Sequence, residues 1–285
     1  MSFPRFLESI NPGLYAEYRR ERWSSRRNPA KLAGGQTTST IRESRMPKSA
    51  PRSVVVSPDF HSAHMRFLSD LPTNHPAVQY VTRRRIPSSI FHLIGYTESW
   101  RSLLDEQHWL TSMSGEAPPA LVFLMRTNSE MLGAQARILY PTSHVRYLTA
   151  KVAQDTTLVF GLDRITTTQR TFVFEGPIDS LMASNAIAAI SSGLDSVCAK
   201  LPLDTKDWVR VYDNEPRNPH IRQSVKKTVD AGFPVFFWPK TVTVKDLNDL
   251  VCQRQWTPSQ VDTFLHAHVF QGLRAQVKFL EWTSS

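Results

Sequence analysis

Two β-like segments in the second half of the chain each end in acidic side chains. Glu175 directly follows the apolar run TFVF, and Asp213 and Glu215 follow WVRVY. Residues two apart on an extended segment point to the same side, so Asp213 and Glu215 could share one cation. Like charges gathered at one point repel and raise each other's pKa values, and a divalent cation relieves that repulsion. Carboxylate oxygens favour Mg²⁺ or Mn²⁺.

More acids lie close to these in sequence. Asp179 is four residues after Glu175, and Asp246 and Asp249 follow the third β-like segment, PVFFWP. Each acid also has a purely structural interpretation, because a turn after a strand or a helix N-cap uses the same residue types. Their joint occurrence after successive strands favours a metal site over these separate explanations.

The elements that must position these acids alternate in type. TFVFEG, WVRVYDN and PVFFWP have the pattern of strands, whereas IDSLMASNAIAAI and NPHIRQSVKKTVDAG have helical spacing. This alternation predicts a parallel sheet with crossover helices, in which ligands bind beyond the carboxyl ends of the strands. Upstream, HPAVQYVTRRRIP indicates a helix opened by Pro76, and PPALVFLMRT, MLGAQARILY and RYLTAKV indicate strands of a mixed subdomain.

Basic residues on these upstream elements suit phosphate. Arg137, Arg146 and Lys151 belong to the strands, and an arginine can grip a phosphate with two parallel hydrogen bonds. A solvated surface is the alternative for these three residues. The triplet Arg83, Arg84, Arg85 ends the predicted helix and could follow a nucleic-acid backbone, with a solvated helix end as the alternative.

Composition narrows the classes of function. The chain has 285 residues, of which 41% are hydrophobic, and no apolar run approaches a membrane span. The N-terminus lacks the pattern of a secretory signal, so we expect a cytoplasmic protein without a membrane partner. Cys198 and Cys252 are the only cysteines, which excludes a four-cysteine zinc site within this chain.

Charge is concentrated at one end. The net charge is +9, and residues 1–60 alone hold 11 basic and 5 acidic residues. Residues 24–58 are also poor in apolar residues, which predicts a flexible basic linker. A basic arm on a nearly balanced body suggests a polyanion as partner. No phosphate-binding loop of the type G-x-x-x-x-G-K-[ST] is present, so an ATPase or fused helicase is not supported.

The segments FVFEGPIDSLMASNAIA, VRVYDNEPRN and VFFWPKTVTVKDLNDLV together resemble the Toprim module of DnaG-type DNA primases, and more narrowly the small primases of tailed bacteriophages. HPAVQYVTRRRIP, ARILYPTSHVRYLTAK and VFGLDRI resemble the family's preceding polymerase segments. The likeness covers residues 61–255 well and residues 1–23 loosely. Two departures are Asp-x-Glu in place of the usual Asp-x-Asp, and the lack of the family's N-terminal zinc ribbon.

This resemblance implies primer synthesis on single-stranded DNA from ribonucleoside triphosphates. It implies that Glu175, Asp213 and Glu215 are catalytic and bind metal together with Asp179 and Asp249. It adds Lys245 to the nucleotide-binding residues and leaves Arg83, Arg84 and Arg85 to the DNA. A replicative helicase, within a primosome, and a zinc ribbon supplied elsewhere are the implied partners. The cofactor is Mg²⁺ or Mn²⁺, with no zinc in this chain.

The expected architecture is α/β. A helical N-terminus and basic linker (residues 1–60) precede a primase polymerase subdomain (61–165), a Toprim domain (166–255) and a C-terminal helix (256–285). If the chain is phage-encoded, it acts in the host cytoplasm. Two other functions remain open from the residues alone, namely a Toprim-type DNA nuclease and a catalytically silent, primase-derived nucleic-acid-binding protein.

Overall fold

The computed structural model describes residues 60–111, 118–140, 145–191 and 193–284. The predicted helical N-terminus and basic linker therefore lie outside the described residues, apart from Phe60. None of the helices in the described ranges is both long and apolar enough to cross a bilayer.

Two five-stranded sheets form the framework. The first is wholly antiparallel, and its strands follow the chain in order: β1 (Arg66–Phe67), β2 (Gly95–Thr97), β3 (Ala120–Arg126), β4 (Met131–Ile138) and β5 (Tyr147–Lys151). The strands predicted upstream of residue 165 are β3, β4 and β5. Helices α1 (Pro76–Arg83) and α2 (Trp100–Gln107) belong to the same part of the chain.

The second sheet is mostly parallel, with strand order β10-β9-β8-β6-β7. Its strands are β6 (Phe172–Phe174), β7 (Ala186–Ala188), β8 (Val209–Val211), β9 (Val235–Phe236) and the antiparallel β10 (Val269–Phe270). Its helices are α3 (Pro177–Ser180), α4 (Leu194–Cys198), α5 (Pro219–Asp230), α6 (Leu247–Arg254), α7 (Pro258–Ala267) and α8 (Leu273–Thr283). The mixed α/β class predicted from the sequence is confirmed.

The apolar run of β3 explains why the two sheets pack together. Leu121, Phe123 and Met125 alternate with Val122 and Leu124, and all five are buried. The first set joins the main core, where the Phe123 ring meets that of Phe160 edge-on at 5.6 Å. The second set faces a smaller core under helix α2. A strand that is buried on both faces needs apolar residues at successive positions, and the run ALVFLM supplies them.

One predicted helix is wrong. Of IDSLMASNAIAAI, only the first residues are helical, in α3, and Ala186–Ala188 form strand β7. Asn185 explains the change, because its buried amide donates hydrogen bonds to the carbonyls of Thr166, Gln169 and Arg170. The main-chain carbonyl of Asn185 accepts a hydrogen bond from the Phe172 amide, and this bond places the residues after Asn185 beside β6.

The start of helix α5 excludes one structural interpretation of the acids. Its N-cap is Asn218, whose side chain accepts from the His220 amide, and Pro219 follows at the first helical position. Asp213 and Glu215 therefore do not cap this helix. Asp246, in contrast, is the N-cap of α6 and accepts from the Asp249 amide at 2.7 Å.

Candidate functional site

Glu175 and Asp213 are neighbours because the strands before them are paired. Strands β6 and β8 run parallel, with Phe174 opposite Val211, so the chain leaves both strands at the same edge of the sheet. The Asp213 amide donates to Glu175 Oε1 at 3.4 Å. Both residues are only partly exposed.

A lysine ammonium lies between two of the acids. Lys245 Nζ is 3.4 Å from Asp213 Oδ2 and 3.3 Å from Glu215 Oε1. In the described ranges, no three His, Cys, Asp or Glu side chains stand in an arrangement that could hold a metal as they are. The acids are thus close enough to share one cationic side chain but are not collected around a single point.

A second acidic group adjoins the first. Asp179, on α3, accepts a hydrogen bond from the Asn248 amide at 2.9 Å. Asp246 and Asp249 are at the start of α6, and Asp249 Oδ1 is 3.9 Å from Arg84 Nη1. Asp179 does not cap its own helix, since the N-cap of α3 is Gly176 with no side-chain bond. The first turn of α6 therefore faces the residues that follow β6.

Burial and mutual repulsion disfavour ionisation of these acids. Burial, together with the nearby charge of Asp213, raises the pKa of Glu175 to about 7. Burial likewise raises the pKa of Asp213 to about 6, although Lys245 opposes the shift. Burial and the adjacent Asp246 raise the pKa of Asp179 well above its ordinary value. Near neutral pH, some of these carboxyl groups therefore keep protons that exposed carboxyl groups would have lost.

Cations and acids line one cavity. The cavity has a volume of about 560 Å³ and is lined by Arg84, Arg137, Arg146 and Lys245 as well as by Glu175, Asp179, Asp213, Asp246 and Asp249. It is large enough for a nucleotide. Arg137 and Arg146 belong to the part of the chain that forms the first sheet, and the acids belong to the part that forms the second. Acids and arginines that share one cavity suit a metal-bound polyphosphate.

Arg137 is held in place by two tyrosines. Its guanidinium carbon is 5.7 Å from the ring centre of Tyr80 and 4.9 Å from that of Tyr147. Nε donates to the Tyr80 hydroxyl at 2.6 Å, and Nη1 donates to the Tyr147 hydroxyl. Tyr147 is opposite Arg137 in the β4–β5 pair, so the clamp follows from strand register. A guanidinium fixed in this way needs little reordering to meet a phosphate.

Sequence reasoning missed two asparagines that brace the site. Asn214 donates to the carbonyls of Val242 and Val244 at 3.0 Å and accepts from the indole of Trp282 on α8 at 3.2 Å. The main-chain amide of Asn214 also donates a hydrogen bond to the Lys245 carbonyl. Asn214 thus ties the turn that bears Asp213 and Glu215 to the Lys245 loop and to the last helix. Its position between these two acids is the only sequence feature that could have indicated this role.

Asn248 is the second brace. It is 1% exposed, donates to the Arg84 carbonyl and accepts from Arg84 Nη1, both at 2.8 Å. It therefore joins the end of α1 to the start of α6. The sequence signal was a polar residue beside the buried Leu247 and Leu250 of the same helix.

Four predicted residues are not among those that line the cavity, and one of them, Glu215, lines another cavity instead. Lys151 is at the far end of β5, where its ammonium donates to the Gln154 carbonyl at 3.3 Å. Arg83 and Arg85 are exposed at the end of α1, and Arg85 adopts a left-handed φ of 57°. Of the basic triplet, only Arg84 turns into the cavity.

No protein-family model matches the chain. A DNA primase of Enterobacteria phage T4, however, is 30% identical over 279 residues, which is 97% of this chain and 77% of the T4 protein. The chain belongs to the DNA primase family. As the resemblance implied, the chain is a DNA primase of the DnaG type found in phages, an enzyme of DNA replication.

Solved structures share the fold of the primase. The zinc-binding and RNA polymerase domains of the Aquifex aeolicus primase match with a TM-score of 0.51 at 16% identity, over 70% of this chain and 57% of that one. A DnaG primase catalytic domain bound to single-stranded DNA matches with a TM-score of 0.50 at 14% identity, over 75% and 79% of the two chains. The primase thus spans little more than half of the Aquifex chain.

The repulsion at Glu175 predicts a pH-dependent effect of Glu175→Gln. Between the ordinary pKa of 4.5 and about 7, the folded primase holds a proton that the unfolded chain has released. Wild-type stability therefore falls as the pH rises through this window. We expect the variant, without added metal, to be more stable than wild type at pH 8 by on the order of 2 kcal/mol. The advantage should vanish at pH 4.5.

Urea unfolding at both pH values, with a chelator present, measures the difference. Glu130→Gln, an exposed change in the β3–β4 turn, is the matched control and should leave the pH dependence unchanged. A Glu175→Gln variant that is less stable than wild type at pH 8 would show that Glu175 supports the fold.

Proposed function

We propose that this primase synthesises short RNA primers on single-stranded DNA by metal-dependent nucleotidyl transfer in a Toprim-type site. The observation that carries the proposal is that Glu175, Asp213 and Asp179 line the same cavity as Arg84 and Arg137. Primer synthesis brings a 3′-hydroxyl to the α-phosphate of a ribonucleoside triphosphate. Both reactants carry phosphates, so the site must neutralise negative charge while it positions them.

The acids of the site fit a hard divalent cation. Burial raises the pKa values of Glu175 and Asp213, and Lys245 is the only described cation that forms an ion pair with Asp213 or Glu215. Carboxylates of Glu175, Asp213 and Glu215 supply oxygen ligands of the type that Mg²⁺ and Mn²⁺ take, and Asp179 and Asp249 are next to them. When bound, the cation would polarise the phosphate and favour the ionised hydroxyl.

The chain's own groups would do the rest of the work. Glu175 stands at the end of its strand, so its carboxylate would be suited to hold the metal or to accept the proton of the attacking hydroxyl. Arg137 and Arg146 would bind triphosphate oxygens in the same cavity, which Lys245 also lines. Lys151 would contribute from outside the cavity, at the end of β5.

The basic triplet suits the template. Arg83 and Arg85 are exposed next to the cavity residue Arg84, so a strand that enters the cavity would pass them. The DnaG catalytic domain of the same fold was solved with single-stranded DNA, which supports this choice of substrate. A replicative helicase and a zinc ribbon supplied separately are the proposed partners, and the reaction would occur in the cytoplasm, where nucleotides and template are found.

Primer synthesis can be tested with the full chain, Mg²⁺, the four ribonucleotides and single-stranded DNA. We expect short RNA products from wild type. Glu175→Gln and Asp213→Asn should each reduce synthesis by about 100-fold or more, because each removes a group that acts on the reacting atoms. Glu130→Gln should synthesise at the wild-type rate.

The products separate the alternative functions. DNA that is shortened without added ribonucleotides would favour a nuclease that uses water as nucleophile. If the chain binds DNA but yields neither RNA nor cleaved DNA, it is a catalytically silent binding protein. Either result would overturn the proposal.

Template binding gives a separate prediction for Arg83 and Arg85. Changing both to glutamine should weaken binding to single-stranded DNA and reduce the slope of log affinity against log salt by about one for each phosphate that the variant no longer neutralises. Fluorescence anisotropy over a salt series measures both quantities. Arg222→Gln, an exposed change on α5, is the matched control. Equal slopes for the double variant and wild type would remove these arginines from the DNA path.

A further inference from the structure

The ammonium of Lys245 occupies an unusual position for an exposed side chain. Lys245 is 54% exposed, yet Nζ is within 3.4 Å of two different carboxylates, Asp213 and Glu215. Burial works against its charge, but the two acids outweigh burial and raise its pKa. These acids follow β8, and Lys245 belongs to a separate loop that precedes α6. The pairing therefore brings together two segments about thirty residues apart.

The backbone and the side chain of Lys245 are held very differently. The Asn214 amide donates to the Lys245 carbonyl at 2.6 Å, and the Asn214 side chain holds the carbonyls of Val242 and Val244. The loop is thus fixed to the turn that bears the acids. The side chain has four methylene groups and is held only by ion pairs that water can reach, so it can rotate without movement of the loop.

A divalent cation on the same oxygens would exclude the ammonium. A metal ion bonds a carboxylate oxygen at about 2.1 Å, well inside the present separation of 3.3 to 3.4 Å between Nζ and the oxygens. Two cations that share Asp213 and Glu215 would repel each other at close range. Lys245 also lines the cavity with Arg137 and Arg146, so an ammonium that leaves the acids remains next to the space for a polyphosphate.

We propose that Lys245 is a stand-in cation, which neutralises Asp213 and Glu215 while the site lacks metal and swings to the substrate's phosphates when a divalent ion binds. This inference rests on the proposed function of the site. It gives one side chain two positions. In the first it keeps the acids together before metal arrives. In the second it adds a positive charge to the residues that bind phosphate.

Removal of the Lys245 charge should have opposite effects on metal binding and on primer synthesis. Lys245→Met keeps the length of the side chain but removes its charge, so Mn²⁺ no longer competes with an ammonium. We expect isothermal titration of Mn²⁺ into the full chain to show about three- to tenfold tighter binding, the range for two partly exposed ion pairs. Primer synthesis at saturating Mn²⁺ should fall at least fivefold. Lys245→Arg, which keeps the charge, should restore most of both properties.

Lys206→Met is the matched control, because Lys206 is an exposed lysine before β8 that lines neither cavity and is in none of the ion pairs between described residues. It should bind Mn²⁺ as wild type does. If Lys245→Met binds Mn²⁺ with unchanged or weaker affinity, Lys245 is not a stand-in cation, even if wild type makes primers. The titration tests Lys245 whether or not RNA is made. Failure of the proposed function would show separately, as a wild-type chain that binds Mn²⁺ but yields no RNA.

Discussion

The structure brings several partly buried carboxylates together, and the repulsion among them is the constraint on which the rest of the site depends. Parallel pairing of β6 with β8 brings Glu175 and Asp213 into contact, and the first turn of α6 adds Asp246 and Asp249 beside Asp179. Burial disfavours the charged forms of these acids. We therefore expect the cluster to lower the stability of the fold unless a cation binds to it.

The surrounding contacts keep this unfavourable arrangement in place. Asn214 fastens the turn that bears Asp213 to the Lys245 loop and to Trp282 of the last helix. Asn248 joins Arg84, at the end of α1, to α6, and both residues line the cavity. Tyr80 and Tyr147 fix Arg137 in the same cavity. These lining residues are therefore held in place before substrate binds, which reduces the ordering that the reaction requires.

The proximity of Glu175 and Asp213 could be predicted from the sequence, because residues that follow neighbouring parallel strands meet at the same edge of the sheet, where ligands bind. Mixed α/β architecture followed from hydrophobic pattern alone. Strand β7 could not be predicted in this way, because the helical spacing of its residues is overridden by hydrogen bonds from Asn185 to a distant loop. The capping role of Asp246 was an open alternative, and the structure places that residue both at the N-cap and at the cavity.

The sequence pattern could not predict contacts between residues that are far apart in the chain. Trp282 lies outside the predicted Toprim boundary of residue 255, yet it bonds Asn214 next to the acids. Lys245 was predicted to bind nucleotide through family resemblance, and no local spacing indicated its pairing with Asp213 and Glu215. The division at residue 165 stays a prediction, although it separates the strands of one sheet from those of the other.

Crystals of the full chain soaked in Mn²⁺ and measured at the manganese absorption edge would show directly whether these acids hold a divalent cation. We expect an anomalous peak at about 2.1 Å from oxygens of Asp213 and of Glu175 or Glu215. A peak that lies elsewhere, or none at saturating Mn²⁺, would contradict the claim that these acids gather to hold a divalent cation.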